Sequence, residues 1–291
     1  MTTIIDGRKI SKEILAEIKK EVSFLPFQPV FCDVLVGDDP VPLQYVNMKK
    51  RKAEEIGIHF HEAFFPADIT AENLIKEIKA LNKIPNMCGV IIQLPLPENL
   101  NQNQQEILDA VDPNLDVDCL STISGEKFYA GDIHLGFPTA LACMALLDSL
   151  NLDLKDPPRL GEAGKKIAVL GQGKLVGKPV AALFNFRHLN PEIIRSKTEN
   201  KEEILKQADI IISGMGQGKY IKGDMIKKDA VIIDAGTSES NAGIVGDVDL
   251  ESIDGIASFV SPVPGGVGPM TVAMLLQNVL KVAKEKIKSQ V

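Results

Sequence analysis

Two hydrophobic rhythms alternate along the 291 residues of this chain. Ile10, Ile14, Ile18 and Val22 recur at helical spacing, and Val30 to Val36 then forms a short apolar run ended by the turn Gly37-Asp38-Asp39-Pro40. The same alternation continues. It predicts a helix from about Pro42 to Glu55, a strand from Ile58 to Phe65, a helix from Ala71 to Leu81, a buried strand from Gly89 to Leu94 and a helix from Gln104 to Ala110. Repeated strand and helix segments of these lengths imply a largely parallel sheet covered by helices.

A helix from Thr139 to Leu150 leads into Asn151–Gly161, where prolines and charges mark the expected domain junction. Beyond it the rhythm resumes: strand Lys166–Leu170, helix Val176–Phe186, a short strand at Ile193 and Ile194, helix Glu202–Gln207, and strands Asp209–Ser213 and Ala230–Asp234. The last apolar run ends in Ser261–Thr271, with three prolines and three glycines, after which Met270–Lys286 returns to helical spacing. Prolines lock φ and glycines admit φ > 0 or close backbone approach, so this loop is expected to be a rigid cradle. Pro269 suits a first helical turn, whose free amides favour an anionic or carbonyl-bearing ligand.

Length sets the domain number at two, by the usual prior of about 150 residues per domain. The expected fold class is therefore α/β: two α/β domains flanking a cleft, residues 1–150 with 270–291 packing back on them, and a Rossmann-like domain over 151–269. A net charge of −7 with scattered basic residues argues against nucleic-acid or anionic-membrane partners and for small molecules. No run reaches the roughly 20 apolar residues of a membrane span, and the N-terminus has neither a basic nor an apolar leader segment, so a cytoplasmic protein is expected. Cys32, Cys88, Cys119 and Cys143 are too widely spaced for a zinc site or a disulfide framework, so no metal is expected, and Cys32 and Cys88 read as small core residues.

Candidate chemistry gathers at several points. Leu170-Gly-Gln-Gly-Lys-Leu-Val-Gly-Lys-Pro179 puts Gly171, Gly173 and Gly177 between a strand and a helix, where bare backbone can approach a pyrophosphate; a plain structural turn explains the spacing as well. At the end of the following strand, Arg195-Ser196-Lys197-Thr198 offers cations and hydroxyls rather than an acid, which suits a 2′-phosphate, although a solvated basic turn has the same composition. Tyr45 and Lys49 share one helical face, extended by Lys52, yet Met48–Lys52 also reads as an ordinary solvated surface. Gln93 closes a buried strand at the expected carboxyl end of the sheet, where it could hydrogen-bond Lys49, ahead of Leu94-Pro95-Leu96-Pro97. Asp118, in Asp116-Val117-Asp118, is either an acceptor for paired N–H donors or part of an Asx turn.

Taken together, these motifs resemble the bifunctional methylenetetrahydrofolate dehydrogenase/cyclohydrolases, the FolD type, over essentially the whole chain. The resemblance rests on Leu35–Pro40, the Tyr45 to Lys49 pair with Arg51-Lys52, Gly89–Pro97, Asp116–Asp118, the glycine loop, Ser196–Thr198, Gly246-Asp-Val-Asp249 and above all Pro262–Thr271. It implies that Tyr45 stacks on folate, that Lys49 is the central catalytic group tuned by Gln93, and that Asp118 holds the pterin. Leu94, Pro264, Gly265 and Gly266 would line the folate site, and Gly171, Gln172, Gly173, Arg195, Ser196 and Thr237 the dinucleotide. The implied reactions are oxidation of methylene-tetrahydrofolate with NADP and hydrolysis of the methenyl product, in a homodimer. A cyclohydrolase with a decayed dinucleotide loop, or a non-catalytic folate or nucleotide binder, are the alternatives. Three places depart from the family pattern: Gly171-Gln172-Gly173 stands for Gly-Arg-Ser, which admits NAD beside NADP; Asp118-Cys119 stands for Asp-Gly; and Phe137–Ala142 keeps only the threonine of its helix start.

Overall fold

The computed structural model describes residues 1–154, 164–240 and 243–289. Its elements in chain order are β1 (Thr3–Ile4), α1 (Gly7–Val22), β2 (Val30–Val36), α2 (Pro40–Glu55), β3 (His59–Phe65), α3 (Ala71–Leu81), β4 (Met87–Ile92), α4 (Gln104–Leu108), α5 (Thr122–Tyr129) and α6 (Pro138–Asp148). There follow β5 (Ile167–Leu170), α7 (Gly177–Phe186), β6 (Glu192–Ile194), α8 (Lys201–Gln207), β7 (Ile210–Ser213), β8 (Val231–Asp234), β9 (Ser238–Ser240), β10 (Gly243–Val245), α9 (Leu250–Ile253), β11 (Phe259–Val260) and α10 (Val267–Lys288). The expected junction at 151–161 falls largely outside the described residues.

Two compact units divide the chain: Glu13–Pro138 with Val272–Val291, and Met1–Lys12 with Thr139–Thr271. The division thus lies inside α1, α6 and α10, with Thr139 rather than residue 151 opening the second unit. The first twelve residues belong with that unit because β1 pairs in parallel with β11, Thr3 opposite Phe259 and Ile4 opposite Val260.

In the unit containing Glu13–Pro138, three parallel strands lie in the order β3-β2-β4. Central β2 is buried along all seven residues, as expected of a parallel strand covered on both faces. Phe31 meets Phe60 edge-on at 5.6 Å in its core, and Phe128 meets Phe137 at 5.0 Å. The last helix packs on β4 at Gly89, where an added Cβ would lie 2.9 Å from Val279 Cγ2 and 3.0 Å from Val117 Cγ2. Asn278 of the same helix donates through Nδ2 to the carbonyls of Val117 at 2.9 Å and Gly136 at 2.8 Å. These contacts bring the C-terminal helix back onto the first half of the chain. It starts at Val267, so Pro269 is its third residue, a first-turn position where a missing N–H breaks no helical bond.

The other unit holds a six-stranded sheet in the order β1-β11-β8-β7-β5-β6, parallel throughout. From β5 the chain first moves outward to β6 and then returns to the opposite side through β7 and β8. The switch point of this doubly wound sheet therefore lies at the carboxyl end of β5, where open α/β sheets bind ligands. Ala168, Leu170, Ile211 and Ile232 are wholly buried in its core. A small antiparallel pair, β9 with β10, lies apart from the main sheet. Among the described residues no helix is long and apolar enough to cross a membrane, and all four cysteines are free and buried.

Candidate active site

In the unit containing Glu13–Pro138, α2 carries Tyr45 and Lys49 on one face, one turn apart. Tyr45 is 41% exposed and Lys49 only 8%, so the aromatic ring meets solvent while the ammonium is drawn inward. Gln93 is the first residue past β4, and its N–H still extends the ladder by donating to Val34 O at 2.9 Å. That backbone anchor sets the side chain. Its Nε2 donates to Leu94 O at 2.7 Å, which orients Oε1 to accept from Lys49 Nζ at 2.7 Å.

Lys49 has a second partner that the motif reading missed. Asp33, in the middle of β2 and wholly buried, places Oδ2 2.6 Å from Lys49 Nζ. The contact is a close ion pair, and among the described residues neither carboxylate oxygen has a further partner. Burial pushes the Asp33 carboxyl up from its ordinary range, while the Lys49 charge pulls it back down. The sequence carried one signal for it, a single acid within the apolar run Val-Phe-Cys-Asp-Val-Leu-Val.

The two aspartates after Leu115 divide the two readings of their tripeptide. Asp116 is the turn residue: its carboxylate accepts from Leu120 N at 3.3 Å and Ser121 N at 2.8 Å, at the entry to α5. Asp118 is left partly exposed, with no side-chain hydrogen bond among the described residues. Burial raises its pKa to about 7; Lys49 opposes the shift, and the charges of Asp116 and Asp33 add to it. Cys119, where the family pattern has glycine, takes φ of 58°, and its thiol is buried and pushed up. Lys52 pairs with Glu55 at 2.7 Å on the surface.

In the other unit, Gly171 follows β5 with φ of 94°, and an added Cβ would lie 2.6 Å from Gly214 O. Gln172 folds its Nε2 back on Gly171 O at 3.0 Å. Gly173 O accepts from Lys178 N at 3.2 Å as α7 begins. Arg195 and Ser196 follow β6 and are exposed; Arg195 N donates to Thr198 Oγ1 at 2.9 Å and Ser196 O accepts from Lys201 Nζ at 2.7 Å. Exposed Thr237 follows β8. All six dinucleotide candidates therefore sit at the carboxyl edge of one sheet, on loops after β5, β6 and β8.

Two buried acids brace that edge. Asp234 accepts from the N–H groups of Gly236, Asp247 and Val248 at 2.9, 3.1 and 2.9 Å, and burial raises its pKa to about 7. Asp247 accepts from Ser213 Oγ at 2.6 Å, Met215 N at 2.8 Å and Gln217 N at 2.7 Å. The packing is reciprocal: a Cβ on Gly236 would overlap the Asp247 carboxyl, and one on Gly246 the Asp234 carboxyl. Pro264, Gly265 and Gly266 belong to this unit too, on the loop between β11 and α10. There Gly265 takes φ of 114°, Gly266 N donates to Pro262 O at 2.7 Å, and Ser261 Oγ accepts from Asp234 N at 2.8 Å.

A doubly wound parallel sheet with a glycine loop at its switch point is the architecture of a dinucleotide-binding protein. The model of the tetrahydrofolate dehydrogenase/cyclohydrolase catalytic domain matches residues 5–118, and that of the same family's NAD(P)-binding domain matches residues 138–287. A bifunctional protein FolD from Hydrogenobaculum sp. is 40% identical over 286 residues, which cover 98% of this chain and 99% of that one. The bifunctional FolD methylenetetrahydrofolate dehydrogenase/cyclohydrolase of Campylobacter jejuni superposes with a TM-score of 0.90 at 32% identity, covering 98% and 100% of the two chains. The Trypanosoma brucei enzyme of the same name, solved with NADP cofactor and inhibitor, gives 0.89 at 30% identity, with 99% of each chain covered. The chain belongs to the tetrahydrofolate dehydrogenase/cyclohydrolase family.

Proposed function

We propose that this protein oxidises methylene-tetrahydrofolate to methenyl-tetrahydrofolate with NADP and hydrolyses that product to formyl-tetrahydrofolate. The observation that carries the reading is Lys49, a nearly buried cation held by Gln93 at 2.7 Å beside the exposed ring of Tyr45. Tyr45 offers its face to the planar pterin and aminobenzoyl rings. Asp118, without a side-chain hydrogen bond among the described residues, accepts the paired N–H groups of the pterin. Leu94, next to Gln93, contributes apolar surface to the substrate.

NADP fits the residues after β5, β6 and β8. The Gly171 loop leaves backbone bare for a pyrophosphate, and the Arg195 guanidinium, without a partner among the described residues, suits a 2′-phosphate beside Ser196. Gln172, Gly173 and Thr237 complete the contact set. When bound, NADP supplies a hydride acceptor. Gln172-Gly173 provides no cation of its own, so NAD remains a usable second cofactor.

Lys49 serves the hydrolytic step. As a neutral amine it takes a proton from the water that adds to the methenyl carbon, and the resulting ammonium is received by Gln93 Oε1. Catalysis and folate binding are assigned to the unit containing Glu13–Pro138, and dinucleotide binding to the other. We further propose a cytoplasmic homodimer, and its charge of −7 argues against a nucleic-acid partner; sedimentation measures the dimer.

Steady-state methenyl formation with NADP and with NAD tests the first step, and Lys49→Met the second. The expected results are turnover with NADP and a cyclohydrolase rate about 100-fold or more below wild type in the variant. Turnover with neither cofactor would remove the dehydrogenase activity, and wild-type hydrolysis by Lys49→Met would remove the lysine mechanism.

A further inference from the structure

Asp33 has no part in the roles above, yet it is a wholly buried carboxylate in the core of its unit. It lies at the centre of a strand buried along its whole length; among the described residues its Oδ1 has no hydrogen-bond partner and the one cation paired with it is Lys49, 2.6 Å away. A buried carboxylate is tolerated when a cation compensates it, and removal of either partner leaves the other uncompensated. Such a pair acts in both directions. The carboxylate that depends on Lys49 for its charge also favours the charged form of Lys49.

We propose that Asp33 is a positioning residue for Lys49: its buried carboxylate holds the ammonium form at the Gln93 oxygen and sets the pH at which the lysine gives up its proton. The inference rests on the reading of Lys49 as the base of the hydrolytic step for its catalytic consequence, though not for the coupling itself. Other groups act on the same charge. Asp118 approaches from the segment after Leu115, itself beside Asp116, and Gln93 follows the end of β4. Cys32 neighbours Asp33 on β2. Glu62, opposite Asp33 on β3, is taken by Lys50 at 2.5 Å.

The proton balance is simple. Lys49 loses one proton to solvent, the neutral amine accepts one from the attacking water, and the ammonium reforms beside the Asp33 carboxylate. While that ion pair is intact, the cationic methenyl carbon faces a net neutral pair and escapes the repulsion of an isolated ammonium. Lowering the proton affinity of Lys49 by removing Asp33 would make the amine available at lower pH, and weaker as a base.

The test reads Lys49 directly in the full-length protein. Cyanate carbamylates only neutral amines, so the pH dependence of Lys49 carbamylation, followed by peptide mass spectrometry, reports its proton affinity without reference to activity. In Asp33→Asn, and in Asp33→Val, which suits an apolar strand, the carbamylation midpoint is expected to fall by at least about one pH unit, the usual scale for loss of an adjacent opposite charge. The acid limb of the cyclohydrolase pH–rate profile should fall with it, in variants whose circular dichroism matches wild type. Carbamylation profiles that coincide with wild type overturn the proposal, because the proton would then already reside on Asp33. A shifted carbamylation profile with an unmoved cyclohydrolase limb upholds the coupling and overturns Lys49 as the base.

Discussion

Asn278 ties the C-terminal helix to the segment that presents Asp118. It is wholly buried, its Nδ2 donates to the carbonyls of both Val117 and Gly136, and its Oδ1 has no hydrogen-bond partner among the described residues. Replacing it by alanine orphans two acceptors, at about 1–3 kcal/mol each, while removing one orphaned oxygen of similar cost. Carbonyls retain a second lone pair and tolerate partial satisfaction, so the net loss should be about 2–3 kcal/mol, including the small void left behind. For a unit of roughly 150 residues that lowers its melting temperature by about 4–12 °C.

Asn278→Asp separates the hydrogen bonds from the packing, because its shape is nearly unchanged while the donor becomes an anion facing two carbonyls. Burial raises such a carboxyl in the folded state, so its stability contribution is present at low pH and lost as pH rises through the folded value. Calorimetry of the Asp variant at pH 8 should show a larger loss than alanine, and partial recovery toward pH 5, where the protonated acid donates again. Because Val117 precedes Asp118, Asn278→Ala should also raise KM for methylene-tetrahydrofolate several-fold with kcat and the KM for NADP retained. A melting temperature within about 1 °C of wild type for alanine, or an Asp variant equally stable at pH 8, would show that these two bonds do not hold the segment.

Gly236→Ala should weaken NADP binding at least tenfold by fluorescence titration while leaving cyclohydrolase KM unchanged, because its Cβ displaces the carboxylate that holds Met215 N and Gln217 N; equal NADP affinity would contradict the bracing role of Asp247. Asp118, raised to about 7, accepts pterin N–H groups only when ionised, so KM for folate should fall as pH rises from about 6 to 8, with the limb moved lower in Asp33→Asn. For the unliganded protein the sign is opposite: a raised carboxyl contributes stability below its ordinary range and loses it as pH rises through about 7, which a melting series on wild type and Asp118→Asn checks. Gln172→Arg should raise the kcat/KM preference for NADP over NAD at least tenfold, about 1.4 kcal/mol, by adding a cation beside the glycine loop; an unchanged ratio would leave Arg195 as the sole phosphate partner.

Local pattern was enough for the strands and helices that are long and alternating. β2, β4, β5, β7 and β8 are apolar runs whose burial on both faces of a parallel sheet leaves a continuous signature. Lys49 and Gln93 were legible for the same reason, one from the periodicity of α2 and the other from the polar residue that ends β4. What escaped depends on partners distant in sequence. β1 and β11 are two residues each: β11 pairs with β8 as well as β1, and the β1–β11 pairing across the length of the chain joins Met1–Lys12 to the second unit. α5 carries little apolar periodicity, and its start depends on the Asp116 and Ser121 caps. Asp33 is the instructive case. As an acid in an apolar strand it was visible as an anomaly, but only the packing of α2 over β2 shows that its counter-charge is Lys49. The periodicity of α2 points to Lys49, whereas only the folded packing of α2 on β2 brings the Asp33 carboxylate to within 2.6 Å of it.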